Sequence, residues 1–132
     1  IIGSICEKIK NEILNDKKNN GAYFNNHRIR VSKKNDINNC LFVVGGKIKK
    51  EPNLPYRKSG CAALDMAYVA SGRYDGYFQH DLNLWDIAAG IILVKEAGGI
   101  LNEIDLSVNE NIKIIASTPD INSKLLEKLD NF

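Results

Sequence analysis

The stretch NLWDIAAGIILVKEAGG, residues 83–99, carries apolar or small residues at almost every position between Leu84 and Ala97. Glycine just past a last turn is a common helix stop, and Gly98-Gly99 supplies it. Asn83 is a good N-cap, and Asp86 follows three residues later in the manner of a capping box. The pattern predicts a helix over 84–97, apolar enough to be covered on more than one side. Asp86 sits in its first turn, at the positive end of the helix dipole. A carboxylate there stays ionised and can bind a hard cation. On these residues alone, an ordinary N-terminal charge is the stronger explanation.

Upstream, Ser59 to Ala70 has apolar residues at nearly every helical position, with Asp65 as its one charge and Gly72 as its stop. It reads as a second buried helix. Its start, Ser59-Gly60-Cys61-Ala62, is built of small residues that let backbone N–H groups approach an anion. Tight packing without a ligand explains it as well. Between the helices, Tyr74 to Gln79 is strand-like, and Gln79-His80-Asp81 closes that strand. Polar residues at the C-terminal end of a strand often line a ligand crevice in α/β folds. His80 and His27 stand alone, with no Ser or Cys and supporting acid to suggest a triad.

Farther out, Cys40 to Val44 reads as a strand buried on both faces and ended by Gly45-Gly46. Residues 47–57 read as an exposed loop. Ile100-Leu101 and Ile112 to Ala116 are strand candidates, and Pro119-Asp120 opens a last helix, Ile121 to Leu129. Residues 1–32 read as an antiparallel meander. Ile1 to Cys6 and Ile9 to Leu14 form its first strands, Asp16 to Gly21 a turn-rich connector, and Asn25-Asn26 a hairpin turn between Ala22–Phe24 and Arg28–Val31. Lys33 to Asn39 is expected as loop or short helix. From Cys40 onward strands alternate with helices, which predicts an α/β layered sandwich.

The chain has 132 residues, enough for one core, and 18 basic against 16 acidic residues give a net charge of +2. That balance does not argue for nucleic acid or membrane. The local basic group, Lys47, Lys49, Lys50, Arg57 and Lys58, reads as a solvated loop. Three cysteines, Cys6, Cys40 and Cys61, form no CxxC pair, so neither a disulfide framework nor a zinc site is expected, and a reducing cytoplasmic setting fits. No run reaches the roughly 18 apolar residues of a membrane span. The start at Ile1-Ile2-Gly3, without Met, suggests a sequence that begins inside a longer protein.

The run Trp85-Asp86-Ile87-Ala88-Ala89-Gly90, continuing to Glu96-Ala97-Gly98-Gly99, resembles the second signature of the inositol monophosphatase family. The match extends through Ser59-Gly60-Cys61-Ala62-Ala63-Leu64 and Gly72-Arg73-Tyr74-Asp75-Gly76-Tyr77-Phe78. It also takes in Asn20-Gly21-Ala22-Tyr23 and Arg28-Ile29-Arg30-Val31-Ser32. It spans nearly the whole chain and looks closest to bacterial members.

The resemblance implies a sugar-phosphatase-like fold. Residues 1–32 would be the last strands of the N-terminal antiparallel-sheet domain and residues 33–132 the C-terminal α/β domain. It implies Mg²⁺-dependent hydrolysis of a phosphomonoester, inositol-phosphate-like, with Asp86 as a metal ligand. Gly60, Cys61 and Ala62 would contact substrate through their backbone, and Gln79 would stand where the family usually has a Glu that binds a substrate hydroxyl. The family's first signature, Asp-Pro-Ile/Leu-Asp-Gly-Thr, and its upstream Glu are missing. Catalytic residues are therefore expected before Ile1, and residues 1–132 alone are expected to be inactive. Fructose bisphosphate or an adenosine bisphosphate is the alternative substrate on the same fold. A contact role with transcription or RNA machinery is the non-enzymatic alternative. A homodimer is expected, and no membrane partner.

Overall fold

A computed structural model of the chain describes residues 2–7, 12–17, 20–130 and 132. Four strands pair antiparallel in chain order, namely β1 (Ile2–Glu7), β2 (Glu12–Lys17), β3 (Gly21–Phe24) and β4 (His27–Ile29). Asn25 and Asn26 take φ of 43° and 67° at the β3–β4 turn, the left-handed pair that matches strand twist in a two-residue hairpin. The connector expected over Asp16–Gly21 is shorter than its polarity suggests. Asp16 and Lys17 stay in β2 and pair with Ala22 and Gly21, because ladder hydrogen bonds come from the backbone whatever the side chain. The expected strand positions Ile1, Ile9, Lys10 and Asn11 lie outside the described residues.

The second sheet holds β5 (Phe42–Val44), β6 (Tyr56–Arg57), β7 (Gly76–Leu82), β8 (Ile100–Leu101) and β9 (Ile112–Ser117), in the order β6-β5-β7-β9-β8. β5 runs parallel to both β6 and β7, while β9 is antiparallel to β7 and β8. The short strand β6 corrects the all-loop expectation for 47–57. Phe42 N–H donates to Pro55 C=O at 3.0 Å, and this docks the returning chain on the edge of β5. β7 also runs farther than its sequence suggested. It carries His80 and Asp81 inside it, across a register irregularity between Gln79 and Leu82, with Asp81 at φ 56°.

Three helices follow the apolar runs. They are α1 (Ala62–Ala70), α2 (Leu84–Glu96) and α3 (Asn122–Lys128), the last preceded by a 3-10 turn at Pro119–Ile121. Successive side chains on a strand point to opposite faces, and the second sheet shows the consequence. Val43, Tyr77, Ile114 and Ala116 face a core shared with α1, α2 and the first sheet. Phe42, Val44, Phe78 and Ile115 face a second core closed by Ile121, Leu125 and Leu129. The layers run sheet, α1 and α2, sheet, α3. Leu14, Ala22 and Val31 belong to the same core as Met66, Ile87 and Ile91, so the meander and the α/β part are packed through one interior. Backbone and side-chain bonds tie them further, from Val31 N to Ala97 O at 3.0 Å and from Gly21 N to Glu96 Oε2 at 3.1 Å. No described helix is long and apolar enough to cross a membrane.

Candidate functional site

α1 and α2 open onto the same side of the second sheet. Their first turns, with Gly46 at the end of β5 and Gln79 in β7, line a cleft of about 440 Å³. Gly60, Cys61, Ala62, Gln79 and Asp86, the five residues singled out from the sequence, all stand on its wall together with Ala63, Leu82 and Trp85. They come from three separate stretches of chain, brought together by packing of the two helices on one sheet.

Ser59 to Cys61, expected as the start of the helix, form a folded turn, and α1 begins at Ala62. Gly60 has φ +86°, and a side chain there would meet nothing within 4 Å. The glycine therefore serves backbone shape and leaves the cleft open. Cys61 is the N-cap residue, and its N–H donates to Ser59 Oγ at 3.2 Å. The first i→i−4 bond of the helix runs from Asp65 N to Cys61 O at 2.9 Å. The N–H groups of Ala62, Ala63 and Leu64 therefore precede the helical ladder, where helix starts carry their fixed positive potential. Ala63 falls in the run that carries the family resemblance but is not among the expected site residues, and its signal is the run of small residues itself.

Asp65 lies behind this turn, wholly buried, and accepts a hydrogen bond from Ser59 Oγ. Its other oxygen, Oδ2, is buried and unpaired among the described residues. Burial pushes its carboxyl up to about 6, against the opposing pull of the Ser59 hydroxyl. The sequence signal for Asp65 was its being the one charge in an apolar helix.

Asp86 is exposed at the start of α2. The expected capping box does not form. Asn83 has extended cap geometry but makes no side-chain cap bond. Its Nδ2 donates to Asp86 Oδ2 at 3.3 Å, so the two side chains meet each other and the carboxamide oxygen caps no backbone N–H. Trp85 is 69% exposed beside it, although the apolar run predicted a covered helix. The covered face of α2 is Ile87, Gly90, Ile91, Leu93 and Val94.

Gln79 is half-buried and lies flat against Gly45-Gly46. A Cβ on Gly45 would stand 1.6 Å from Gln79 Oε1, and one on Gly46 would stand 3.3 Å from Nε2. Tyr77, fully buried, donates its hydroxyl to Gln79 Oε1 at 2.6 Å. Burial raises the Tyr77 phenol far above its ordinary value, and the charges of Asp65, Cys61 and Asp86 raise it further. In the sequence the Gly45-Gly46 doublet marks only a strand end. Its bareness is what admits the carboxamide.

A hard divalent cation finds one suitable donor here. Mg²⁺ commonly takes one or two carboxylates and fills its remaining positions with water and phosphate oxygens. Asp86, exposed in the cleft, fits as such a carboxylate. Among the described residues no group of three or more His, Cys, Asp and Glu could hold a metal, so they offer Asp86 as a carboxylate in the cleft and no cage.

Layering of this kind is that of inositol monophosphatases of known structure. The Thermotoga maritima IMPase superposes with a TM-score of 0.85 at 33% identity, over 98% of this chain and 56% of that one. The inositol monophosphatase from Anabaena (Nostoc) sp. PCC 7120 gives 0.86 at 29% identity, over 98% and 58%. Residues 1–131 match the inositol monophosphatase family, and the chain belongs to it. The Nus factor SuhB of Haemophilus influenzae is 33% identical over 97% of this chain and 54% of its own length. The chain thus spans about half the length of the curated relatives it matches.

Proposed function

We propose that this chain forms the substrate-facing wall of a Mg²⁺-dependent phosphomonoesterase site of the inositol-phosphate type. What supports this reading is the convergence of the α1 amides, Gln79 and the Asp86 carboxylate on one cleft. In it, the backbone of Gly60, Cys61 and Ala62 lies along the substrate, and the unladdered N–H groups at the head of α1 offset its negative charge without a proton to lose. Gln79 holds the part of the substrate remote from phosphate, and Asp86 holds the cation. Mg²⁺, when bound, neutralises phosphate charge and lowers the pKa of an attacking water. The groups that complete this chemistry lie, in this reading, in the half of the relatives' length that this chain does not span. Residues 1–32 are the end of the family's N-terminal antiparallel sheet and residues 33–132 its C-terminal α/β unit. A cytoplasmic homodimer completes the reading, with Cys40 and Cys61 as free thiols.

The test is Asp86→Asn in the intact protein, assayed on inositol 1-phosphate with Mg²⁺. Loss of a charged metal ligand should lower kcat/KM by about 100-fold or more, with the melting temperature held because the side chain is exposed. Unchanged hydrolysis would remove Asp86 from the site. The same variant separates a second reading, favoured by the Nus factor relatives, in which the protein acts through contacts with transcription machinery. Under that reading Asp86→Asn abolishes hydrolysis and leaves association with RNA polymerase complexes intact.

A further inference from the structure

Ser59-Gly60-Cys61 is a turn of small residues with little of its own to hold it. Glycine is conformationally permissive, and no neighbour lies within 4 Å of where a Gly60 Cβ would stand. Yet this turn leads directly into the backbone that walls the cleft. What holds it is Asp65, one turn into α1. The Asp65 N–H donates to Cys61 C=O at 2.9 Å. The Asp65 carboxylate accepts the hydrogen of the Ser59 hydroxyl. With that hydrogen directed inward, Ser59 Oγ keeps a lone pair for Cys61 N–H, which donates to it at 3.2 Å. One residue therefore ties the turn on both sides of Gly60. Burial raises this carboxyl to about 6, so at neutral pH its charge is held against the stability of the fold. Stability given up in this way is characteristic of functional sites.

We infer that Asp65 is a positioning residue, which acts through Ser59 to set the backbone of Cys61, Ala62 and Ala63 in the attitude that meets substrate. This rests on the phosphomonoesterase reading and adds to it the group that shapes the substrate-facing turn. Asp65 lies behind the cleft wall and does not touch substrate itself. Cys61 N–H is engaged by Ser59, so the cleft-lining amides that precede the helical ladder are those of Ala62 and Ala63. Their value to an anion lies in being fixed before it arrives, which removes the entropy of ordering them on binding. Without the Ser59 bond, Gly60 is free to rotate and the amides lose that fixed aim.

Steady-state kinetics of the intact protein on inositol 1-phosphate with Mg²⁺ test this. Ser59 is exposed, so Ser59→Ala removes the link without opening the core. It should raise KM about fivefold and hold kcat within about twofold, since phosphate carries its charge in the ground state and the transition state alike. Asp65→Ala should do the same, and the double variant should be no worse than either single one, because both act through one bond. Asp65→Asn keeps an acceptor for the Ser59 hydroxyl and should restore the wild-type KM. Ser59→Ala and Asp65→Asn carry the test should Asp65→Ala fail to fold. A purely structural Asp65 would lower the melting temperature on truncation and leave KM unmoved. That result, a raised KM in Asp65→Asn, or effects that multiply in the double variant overturns the positioning role, while hydrolysis by the wild type leaves the phosphatase reading in place. A wild type that hydrolyses nothing strikes down that reading and the positioning role with it.

Discussion

The heads of α1 and α2 carry the same kind of residue to opposite ends. Each has an aspartate in its first turn, Asp65 in α1 and Asp86 in α2. Asp65 has no exposed surface and holds Ser59 in place, whereas Asp86 stands exposed in the cleft. The glycines divide in the same way. Gly60 faces open space, while a Cβ on Gly90 would stand 2.7 Å from Met66 Sδ and 2.8 Å from its Cβ. One end of the helix pair opens onto the cleft, and the middle is closed to the limit of contact. Residue type in a helix thus says what a position can do, and its neighbours across the interface decide what it does.

The middle of the pair breaks first. Gly90→Leu should destabilise the protein by about 3 kcal/mol, since a close-packed crossing has no room to relax. A thermal melt matching the wild type would show that the crossing is not tight.

The buried aspartate should matter less and depend on pH. Its folded pKa of about 6 lies above the ordinary carboxylate value. The stabilisation linked to its proton is therefore fully present at acid pH, below the unfolded value, and is lost as pH rises through about 6. Asp65→Asn never charges and keeps an acceptor for Ser59. It should gain about 2 kcal/mol over the wild type at pH 8, a gain that shrinks toward pH 4. Melting curves at the two pH values measure it, and a pH-independent difference would show that burial of the charge is not the cause.

The smallest effect belongs to the open end. Gly60→Ala meets no neighbour but must hold φ +86°, a left-handed conformation that costs a non-glycine residue about 1 kcal/mol. Its stability loss should be slight, and its KM for a phosphomonoester should rise as the turn shifts. An unchanged KM would mean that the turn does not touch substrate.

Much of the architecture was legible. The helices, the buried strand at Phe42–Val44 and the Asn25-Asn26 hairpin follow from periodicity, uninterrupted apolar runs and residues that tolerate positive φ. The legible part of the cleft was its list of residues. Gly60, Cys61, Ala62, Gln79 and Asp86 were marked by local chemistry together with the family resemblance, and they line one cavity. Strand β6 was not legible, because Tyr56-Arg57 carries no pattern of its own and exists only as an edge docked on β5. The failed capping box at Asn83 shows the same limit, since its carboxamide meets the Asp86 side chain and not the helix N–H groups, a matter of local geometry that residue type does not fix.

By itself, then, the sequence determined the helices and the apolar strands, and which residue types were available for a hard cation and an anion. Those properties are local, set by backbone preference and the period of the apolar pattern. Only the tertiary structure decided which first-turn aspartate is buried, that Gly45-Gly46 serves as the seat of a carboxamide, and that Tyr77 fixes which end of Gln79 faces the cleft. Those outcomes depend on groups far apart in the chain meeting at contact distance, where burial and hydrogen-bond pairing set the charge and polarity of each atom.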